Sequence, residues 1–390
     1  MSALVADRAA GVVAAAEKLL ARRMGAPVRL VDPTELGGSG RTVVLRVRVA
    51  DNAFSLPRTL IVKKVRDFDT TFGPGFEPGV ASVDSAFLRE AVSYQFATAL
   101  AIEDRPGPDL LAHDLDERLL IISDLGEGVR LTTQLQSGDD AAAENSLMAF
   151  AQALGRMHST TVGRESDFTA LLRRAEVAHH ADGVTSQAVT AVERLPGMLA
   201  DSLGITVSDA VVDASRHCLR LFRGGRLRAF SPSDLCPDNV IVNDDGVRFL
   251  DYEWGGYRDA SLDIAYALVS YPGCLCHFEM SAERAQAMIE AWRSEVVGIW
   301  PFLAEDKILA RKMLDAKLIW VWLSTYWFLP DNHARIAAVR AHGLSVPRSE
   351  ALLSRWASLS ESAGAAGDRH LAALAERVAA ELDSRWSGED

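Results

Sequence analysis

Apolar residues change their spacing about a third of the way along the chain. Up to Met24 they recur at helical spacing in an Ala-rich stretch that also carries Glu17, Lys18, Arg22 and Arg23, which predicts a surface helix. Val28 to Val31 reads as a short strand. Val43, Leu45, Val47 and Val49 then alternate with Val44, Arg46 and Arg48, the pattern of a half-exposed strand, and Thr59 to Val65 is the next. Asp67 to Gly79 holds three Gly and two Pro and reads as loop. Asp84 and Ser85 are placed to cap a helix running through Phe87, Ala91, Phe96 and Leu100. Two more strands, Asp109 to His113 and Arg118 to Ile122, precede Gly126 and Gly128, which break the pattern. Helical spacing dominates afterwards, from Ala141 to His158, from Ser208 to Phe222 and from Leu262 onward. The expectation is an α+β chain of two lobes. A strand-rich N-lobe covers 1–125, a helix-rich C-lobe covers 126–390, and a hinge lies at Ser123 to Gly128.

One segment of the helical region breaks its own rule. Val240 to Val242 and Val247 to Leu250 read as strands, joined by Asn243-Asp-Asp-Gly246, strong turn chemistry. An antiparallel hairpin brings its open ends together, so Asn239 and Asp251 are expected to be neighbours. That pair of oxygen donors suits a hard divalent cation such as magnesium. Asp234, in Asp234-Leu-x-x-x-Asn239, falls beside them as a candidate base. In kinase-type phosphoryl transfer such an Asp orients the hydroxyl nucleophile, while the Asn and a downstream Asp hold magnesium on the nucleotide. Asp and Asn are also ordinary turn residues, so the motif gains its meaning from the hairpin and from the second Asp.

Composition narrows the field. The 390 residues are 48% hydrophobic and 24% charged, a globular balance, with a net charge of -12. That balance argues against a general nucleic-acid binder and is compatible with a cationic substrate. Cys218, Cys236, Cys274 and Cys276 form no disulfide framework and suit a reducing, cytoplasmic compartment. Cys274-Leu-Cys276-His277 lacks a second ligand cluster and reads as buried thiols. His179-His180 reads as a solvated pair on a helix. The longest apolar run, Leu318 to Leu329, is too short to span a bilayer and reads as a core helix or one wall of a substrate pocket. Asp7 and Arg8 interrupt the N-terminus, which does not read as a signal peptide.

Three further parts of a phosphoryl-transfer site occur in order. Gly37-Gly38-Ser39-Gly40 is a turn through which backbone can approach phosphates, although it equally suits a plain turn; no Walker A lysine follows it. Leu60-Ile-Val-Lys63 resembles a strand carrying a phosphate-reaching lysine, with Lys64 on the opposite face. Glu90 lies mid-helix beside the apolar stripe, where it can pair with that lysine or serve as a surface acid.

Together these residues resemble the aminoglycoside phosphotransferase/choline kinase family, small-molecule kinases with a protein-kinase-like fold. Its pattern runs His-Gly-Asp-Leu-x-x-x-Asn, then Asp-Trp-Glu, then Gly-Asp-Pro-x-x-Asp-Leu-Ala. The matching residues are Pro232-Ser233-Asp234-Leu235, Asn239, Asp251-Tyr252-Glu253, Arg258-Asp259-Ala260 and Asp263-Ile264-Ala265. The resemblance implies ATP and Mg²⁺ as cofactors and a small-molecule hydroxyl as acceptor. It implies Asp234 as the catalytic residue, Asn239 and Asp251 as metal ligands, and a Lys63–Glu90 ion pair positioning phosphate. Gly38 and Ser39 would approach the phosphates, and backbone groups from Ser123 to Leu125 would meet the adenine edge. Asp259 and Asp263 would brace the loop and cap the next helix. Pro232-Ser233 departs from His-Gly, and Asp238 replaces a small residue and adds charge near the metal. The departure opens a second reading, a pseudokinase that binds nucleotide without turnover. A protein kinase is disfavoured, since no Ala-Pro-Glu segment occurs and Tyr-Glu follows Asp251. The acceptor is expected among the C-terminal helices, with Glu279, Glu283, Asp315, Trp320, Trp322, Tyr326 and Trp327 in view.

Overall fold

A five-stranded antiparallel sheet, ordered β1-β2-β3-β5-β4, forms most of the N-terminal third. Its strands are β1 (Leu30–Glu35), β2 (Thr42–Val49), β3 (Thr59–Val65), β4 (Leu110–Asp114) and β5 (Leu119–Ser123). The computed structural model describes residues 3–37, 42–50, 56–65, 83–177, 182–273, 279–329 and 348–386. The Asp67–Gly79 loop, most of the Gly-rich turn including Gly38 and Ser39, His179-His180 and Cys274-Leu-Cys276-His277 lie outside the described residues.

The alternation along the strands puts the sheet between two cores. Helix α1 (Ala3–Met24) lays Val12, Ala16, Leu19 and Leu20 against Val43, Leu45, Val47, Leu60 and Val62 on one face. Each fully buried aliphatic side chain there contributes roughly 1.5–3 kcal/mol. Ile61 and Val65 face the opposite side and pack on the main core with Leu120 and Ile122. Lys63 shares that second face. The first strand lies later than the expected Val28 to Val31. Backbone pairing with β2 runs from Leu30 to Glu35 and absorbs Asp32-Pro33 as a bulge, which an edge strand tolerates.

Helix α2 (Val83–Thr98) follows on the main-core side. Asp84 and Ser85 fall inside its first turn instead of capping it, and the Asp84 carboxylate accepts a bond from Arg118 Nε at 2.7 Å.

Beyond the hinge come β6 (Val129–Arg130), α3 (Leu131–Leu135), α4 (Asp140–Thr161), α5 (Glu165–Arg174), α6 (Gly183–Leu203), α7 (Asp209–Cys218) and α8 (Arg220–Arg223). Then follow β7 (Arg228–Ser231), β8 (Val240–Asn243), β9 (Gly246–Phe249), β10 (Gly256–Asp259), α9 (Ser261–Ser270), α10 (Ala282–Val296) and α11 (Asp306–Phe328). Two terminal helices, Arg348–Ala365 and Arg369–Trp386, pack on each other and on the C-lobe core. The architecture is therefore a two-lobed α+β fold, strands first and helices after. Among the described residues no helix is long and apolar enough to cross a membrane.

Two small sheets position the loops that matter. β8 pairs with β9 and β6, and β7 pairs with β10. The segment from Pro232 to Asn239 leaves β7 and enters β8, while Leu250 to Gly255 leaves β9 and enters β10. Both connections therefore cross the same gap between the same two sheets.

Candidate active site

The hairpin forms as its turn chemistry predicts. Asn243 pairs with Gly246, which takes a φ of +103° that favours glycine, and Asp245 N donates to Asn243 Oδ1 at 3.0 Å. At the open end, Leu250 N donates to Asn239 O at 2.8 Å. That bond holds Asn239 against the residue before Asp251. Asn239 also donates its side-chain amide to Asp234 O at 3.2 Å, so its amide oxygen is left as the acceptor side.

Two residues at this mouth have a left-handed backbone without being glycine. Ser233, which precedes Asp234, has φ +66°, and Asp251 has φ +60°. Such conformations cost about 1–3 kcal/mol and persist where surrounding structure enforces them. For Asp251 the enforcing contact is a bond from its backbone N to Tyr94 Oη at 3.1 Å. For Ser233 it is Ser231 Oγ, which accepts from Ser233 N at 3.1 Å.

Lys63 bridges the lobes. Its Nζ donates to Glu90 Oε1 and to Asp251 Oδ1, each at 2.7 Å. Burial alone would lower this lysine, but the Asp251 and Glu90 carboxylates hold it protonated, well above the ordinary range. Lys64, one residue on, turns to the other face and meets Glu117 at 2.7 Å in a more exposed pair. Strand register thus sends one lysine into the site and its neighbour to the surface.

Negative charge is in excess around Lys63. Burial, opposed by Lys63 and reinforced by Asp251, pushes Glu90 up to about 7. Burial and then Asp251 push Glu253 up to about 8, with Asp234 adding to the field. A divalent cation would relieve this excess, and a carboxylate with an amide oxygen is a hard-cation donor set. Among the described residues, no group of three or more His, Cys, Asp or Glu side chains gathers closely enough to hold a metal alone. Asn239 and Asp251 would therefore suit a hard divalent cation only if its remaining ligands came from outside the protein.

Asp234 sits in polar company. Its Oδ1 accepts from Tyr266 Oη at 3.3 Å and lies 3.4 Å from Cys236 N. Tyr266 in turn packs edge-on against Trp320, whose indole donates to Leu262 O at 2.7 Å. Asp238, expected to add charge beside Asn239, has its carboxylate held by α3, where it accepts from Thr132 Oγ1 at 2.7 Å.

The loop is braced from behind by Asp263, as the resemblance implies, and by His158 and Trp292, which sequence reading missed. Trp292 Nε1 donates to His158 Nδ1 at 3.0 Å, which leaves His158 Nε2–H to donate to Asp263 Oδ2 at 3.0 Å. Asp263 Oδ1 accepts from Ser231 Oγ at 2.6 Å. All four residues are buried. A histidine on the apolar face of α4 was the available signal, since a buried imidazole needs partners for both nitrogens. Asp259, not Asp263, meets the start of α9: its Oδ1 accepts from Ser261 N at 3.2 Å and Ser261 Oγ at 2.6 Å.

The hinge is tied to both lobes. Ser123 N donates to Asp109 O, and Ser123 Oγ accepts from Asp109 N, both at 2.9 Å. Arg46 of β2 holds Asp124 through a pair at 2.8 Å. Asn243 donates to Leu125 O at 3.0 Å, engaging that carbonyl of the proposed adenine edge.

The acceptor candidates separate. Trp320 and Trp322 of α11 are buried, and Trp322 packs 5.9 Å from Trp356, so this helix is core. Tyr326 is buried with it, and Trp327 donates to Gln187 Oε1. Asp315 is buried and paired with Arg220 and Arg311. Glu279 and Glu283 instead line a cavity of about 580 Å³ with Asp140, Glu144 and Arg284, between α10 and the loop leading into α4.

No protein-family model and no curated protein matches the sequence. Among solved structures, the chain is similar to an ethanolamine kinase of Plasmodium vivax, at 11% identity over 84% of this chain and 82% of that one, with a TM-score of 0.48. It is similar to a choline kinase of Cryptosporidium parvum, at 12% identity over 87% and 91%, with a TM-score of 0.48. It is also similar to APH(2″)-IIa in its ternary complex with streptomycin and ATP, at 12% identity over 87% and 95%, with a TM-score of 0.46. The structures it is similar to are thus small-molecule kinases, and at TM-scores below 0.5 they leave the activity of this chain to its own site.

Proposed function

We propose that this chain is an ATP-dependent phosphotransferase of the aminoglycoside phosphotransferase/choline kinase kind, transferring the γ-phosphate to a hydroxyl of a small molecule. One observation carries the reading. Lys63 is shared by Glu90 and Asp251 at the mouth of the hairpin that also presents Asn239 and Asp234.

In this reading residues 1–125 hold the nucleotide and 126–390 supply the catalytic loop and the acceptor site. Lys63, fixed by Glu90, binds phosphate oxygens, with Gly38 and Ser39 approaching from the Gly-rich turn and Ser123 to Leu125 bordering the base. Asn239 and Asp251 hold magnesium, which when bound supplies positive charge to the phosphates. The acceptor oxygen forms a bond to the γ-phosphorus as the bond to the bridging oxygen of ADP breaks. Asp234 orients the hydroxyl and takes its proton. Catalysis of this kind is mainly positioning and charge stabilisation. The Pro232-Ser233 departure is compatible with turnover because Ser231, Asp263 and His158 already fix that loop.

The test is thermal unfolding with ATP, with and without magnesium, followed by ADP release across a library of hydroxyl acceptors. A ligand at a hundredfold excess over Kd stabilises by about 2.7 kcal/mol, several degrees in a protein this size. A magnesium-dependent shift with acceptor-dependent ADP release is expected. No shift with Mg-ATP or Mg-GTP sinks both this reading and the pseudokinase. A shift without transfer to any acceptor favours the pseudokinase.

A further inference from the structure

Arg89 precedes Glu90 on α2 and is also buried, at 4% exposure. Its Nη1 donates to Gly255 O at 3.0 Å. Gly255 ends the turn that follows Asp251, and that turn is closely applied to α2: a Cβ at Gly255 would stand 2.3 Å from Ser93 Oγ. Tyr94, one residue further on, bonds Asp251 N and stacks on Tyr252 with ring centroids 4.5 Å apart. Arg258 completes the knot. It donates to Trp254 O and to Asp182, each at 2.9 Å.

The arrangement is costly where it is not useful. Arg89 Nε and Arg258 Nε and Nη1 are buried without a hydrogen-bond partner. Each unsatisfied buried donor is unfavourable, so stability alone does not account for two arginines here. What Arg89 does accomplish is geometric. Glu90 and Asp251 come from different lobes, yet stand at the same 2.7 Å from Lys63. A helix and a turn share one lysine in that way only while their separation is fixed. Arg89 is the side chain on α2, next to Glu90, that grips the far end of that turn.

We propose that Arg89 is a positioning residue for Lys63: by holding Gly255 it locks α2 against the Asp251 turn and keeps Glu90 and Asp251 on the lysine together. The local geometry stands by itself, and the consequence for nucleotide binding rests on the kinase reading above.

Lys64 supplies an internal reference, because it lies on the same strand and pairs at the same 2.7 Å with Glu117, a residue outside both α2 and the Asp251 turn. The intact chain is treated with a limiting amine-acylating reagent, and the rates at Lys63 and Lys64 are read by peptide mass spectrometry. Wild type, Arg89→Ala, Arg89→Lys and Asp182→Asn are compared. Local release of α2 is expected to raise the Lys63 rate in Arg89→Ala about tenfold relative to Lys64. Arg89→Lys is expected to fall between wild type and Arg89→Ala, and it keeps the test open if the alanine variant does not fold. Asp182→Asn removes the negative charge that faces both Arg258 and Arg89 but keeps the Arg89–Gly255 hydrogen bond. A ratio that stays at the wild-type value assigns the effect to that bond and not to the local charge, and a rise equal to that of Arg89→Ala overturns the proposal. Equal ratios in wild type and both Arg89 variants overturn the proposal. So does a parallel rise at Lys63 and Lys64, the mark of general loosening. Dissociation constants for Mg-ATP on the same variants separate the two ideas. A wild type that does not bind Mg-ATP removes the kinase reading and leaves the labelling ratio to decide the clamp.

Discussion

Asp251 and Asp263 stand on either side of β10 and make opposite uses of the same side chain. Asp263 is buried, and both of its oxygens have a donor, Ser231 Oγ and His158 Nε2. The imidazole is matched on its other nitrogen by Trp292. Nothing in that cluster is left to attract a ligand. Asp251 is 36% exposed in its side chain, has a left-handed backbone and shares one lysine with Glu90 while Glu253 crowds it. A fully matched buried carboxylate is a brace. A half-open carboxylate with too many acidic neighbours is the kind of group a bound cation would relieve, which is the role proposed for Asp251. The difference lies in partners and exposure, not in residue type.

The largest effects break the comparison at its functional end. Asp234→Asn keeps size and hydrogen bonding but removes the carboxylate that the proposed mechanism uses as proton acceptor, so on that proposal transfer to a genuine acceptor should fall about 10² to 10⁴-fold. Mg-ATP should still raise the melting temperature of that variant, because Asn239 and Asp251 are untouched. Asp251→Ala should abolish the magnesium-dependent shift as well as turnover. Wild-type turnover in Asp234→Asn would remove that residue from the chemistry.

Asp263→Ala should do the reverse. It strands His158 Nε2–H in the core and takes the carboxylate from Ser231 Oγ, which keeps only its Ser233 contacts, at a cost of about 3 kcal/mol of stability in denaturant unfolding. If Asp263→Ala unfolds like wild type while Asp251→Ala loses that much, the brace and the ligand-binding carboxylate have been assigned the wrong way round.

This contrast also explains what was legible in the sequence. Asn239 and Asp251 were predictable as neighbours because a hairpin with a tight turn fixes its own ends. Lys63 was separable from Lys64 because strand side chains alternate. The N-lobe strands, the hairpin and several helices followed from apolar spacing, with small displacements where Asp32-Pro33 bulges an edge strand and where Asp84 enters its helix instead of capping it, whereas α5, α6, β7 and β10 were not read from it. Partners from distant segments were not legible. No local pattern says that His158 on α4 meets Asp263 on α9, that Arg89 reaches Gly255, or that Asn243 serves the hinge as well as its own turn. The Trp-rich stretch of α11 was ambiguous for a related reason: a core helix and a pocket wall have the same composition, and only burial separates them.

A third aspartate sharpens the comparison by pH. Burial alone would raise Asp182, but Arg258 and then Arg89, with the Arg258 hydrogen bond and Thr185 N, bring it down to about 2. A depressed carboxylate stabilises the fold above its unfolded value, near 3.9, and that stability is lost as pH falls through the folded value. Asp182 should therefore contribute about 2 kcal/mol at neutral pH that disappears between about pH 4 and pH 2. Acid titration of unfolding free energy should show wild type losing its lead over Asp182→Asn across that window. A constant difference down to pH 2 would place the Asp182 interaction outside the ionic field of Arg258 and Arg89.

The smallest expected effect is the most direct check on strand register. Lys64 and Lys63 are adjacent and each ends 2.7 Å from a glutamate, so contact distance does not distinguish them. Their surroundings do. The Lys64–Glu117 pair is 29% and 51% exposed, where an ion pair contributes about 0.2–1 kcal/mol and less at high salt. Lys63 is 13% exposed and its partner Glu90 2%, so its removal strands a buried carboxylate and takes a cation from the proposed phosphate site. Lys64→Ala should therefore shift unfolding by no more than about 1 kcal/mol, with the shift shrinking in 1 M salt. The Mg-ATP dissociation constant of that variant should match wild type. Lys63→Ala should weaken Mg-ATP binding at any salt concentration. If Lys64→Ala is instead the variant that loses nucleotide, β3 is one residue out of register and the opposite face of the sheet borders the site.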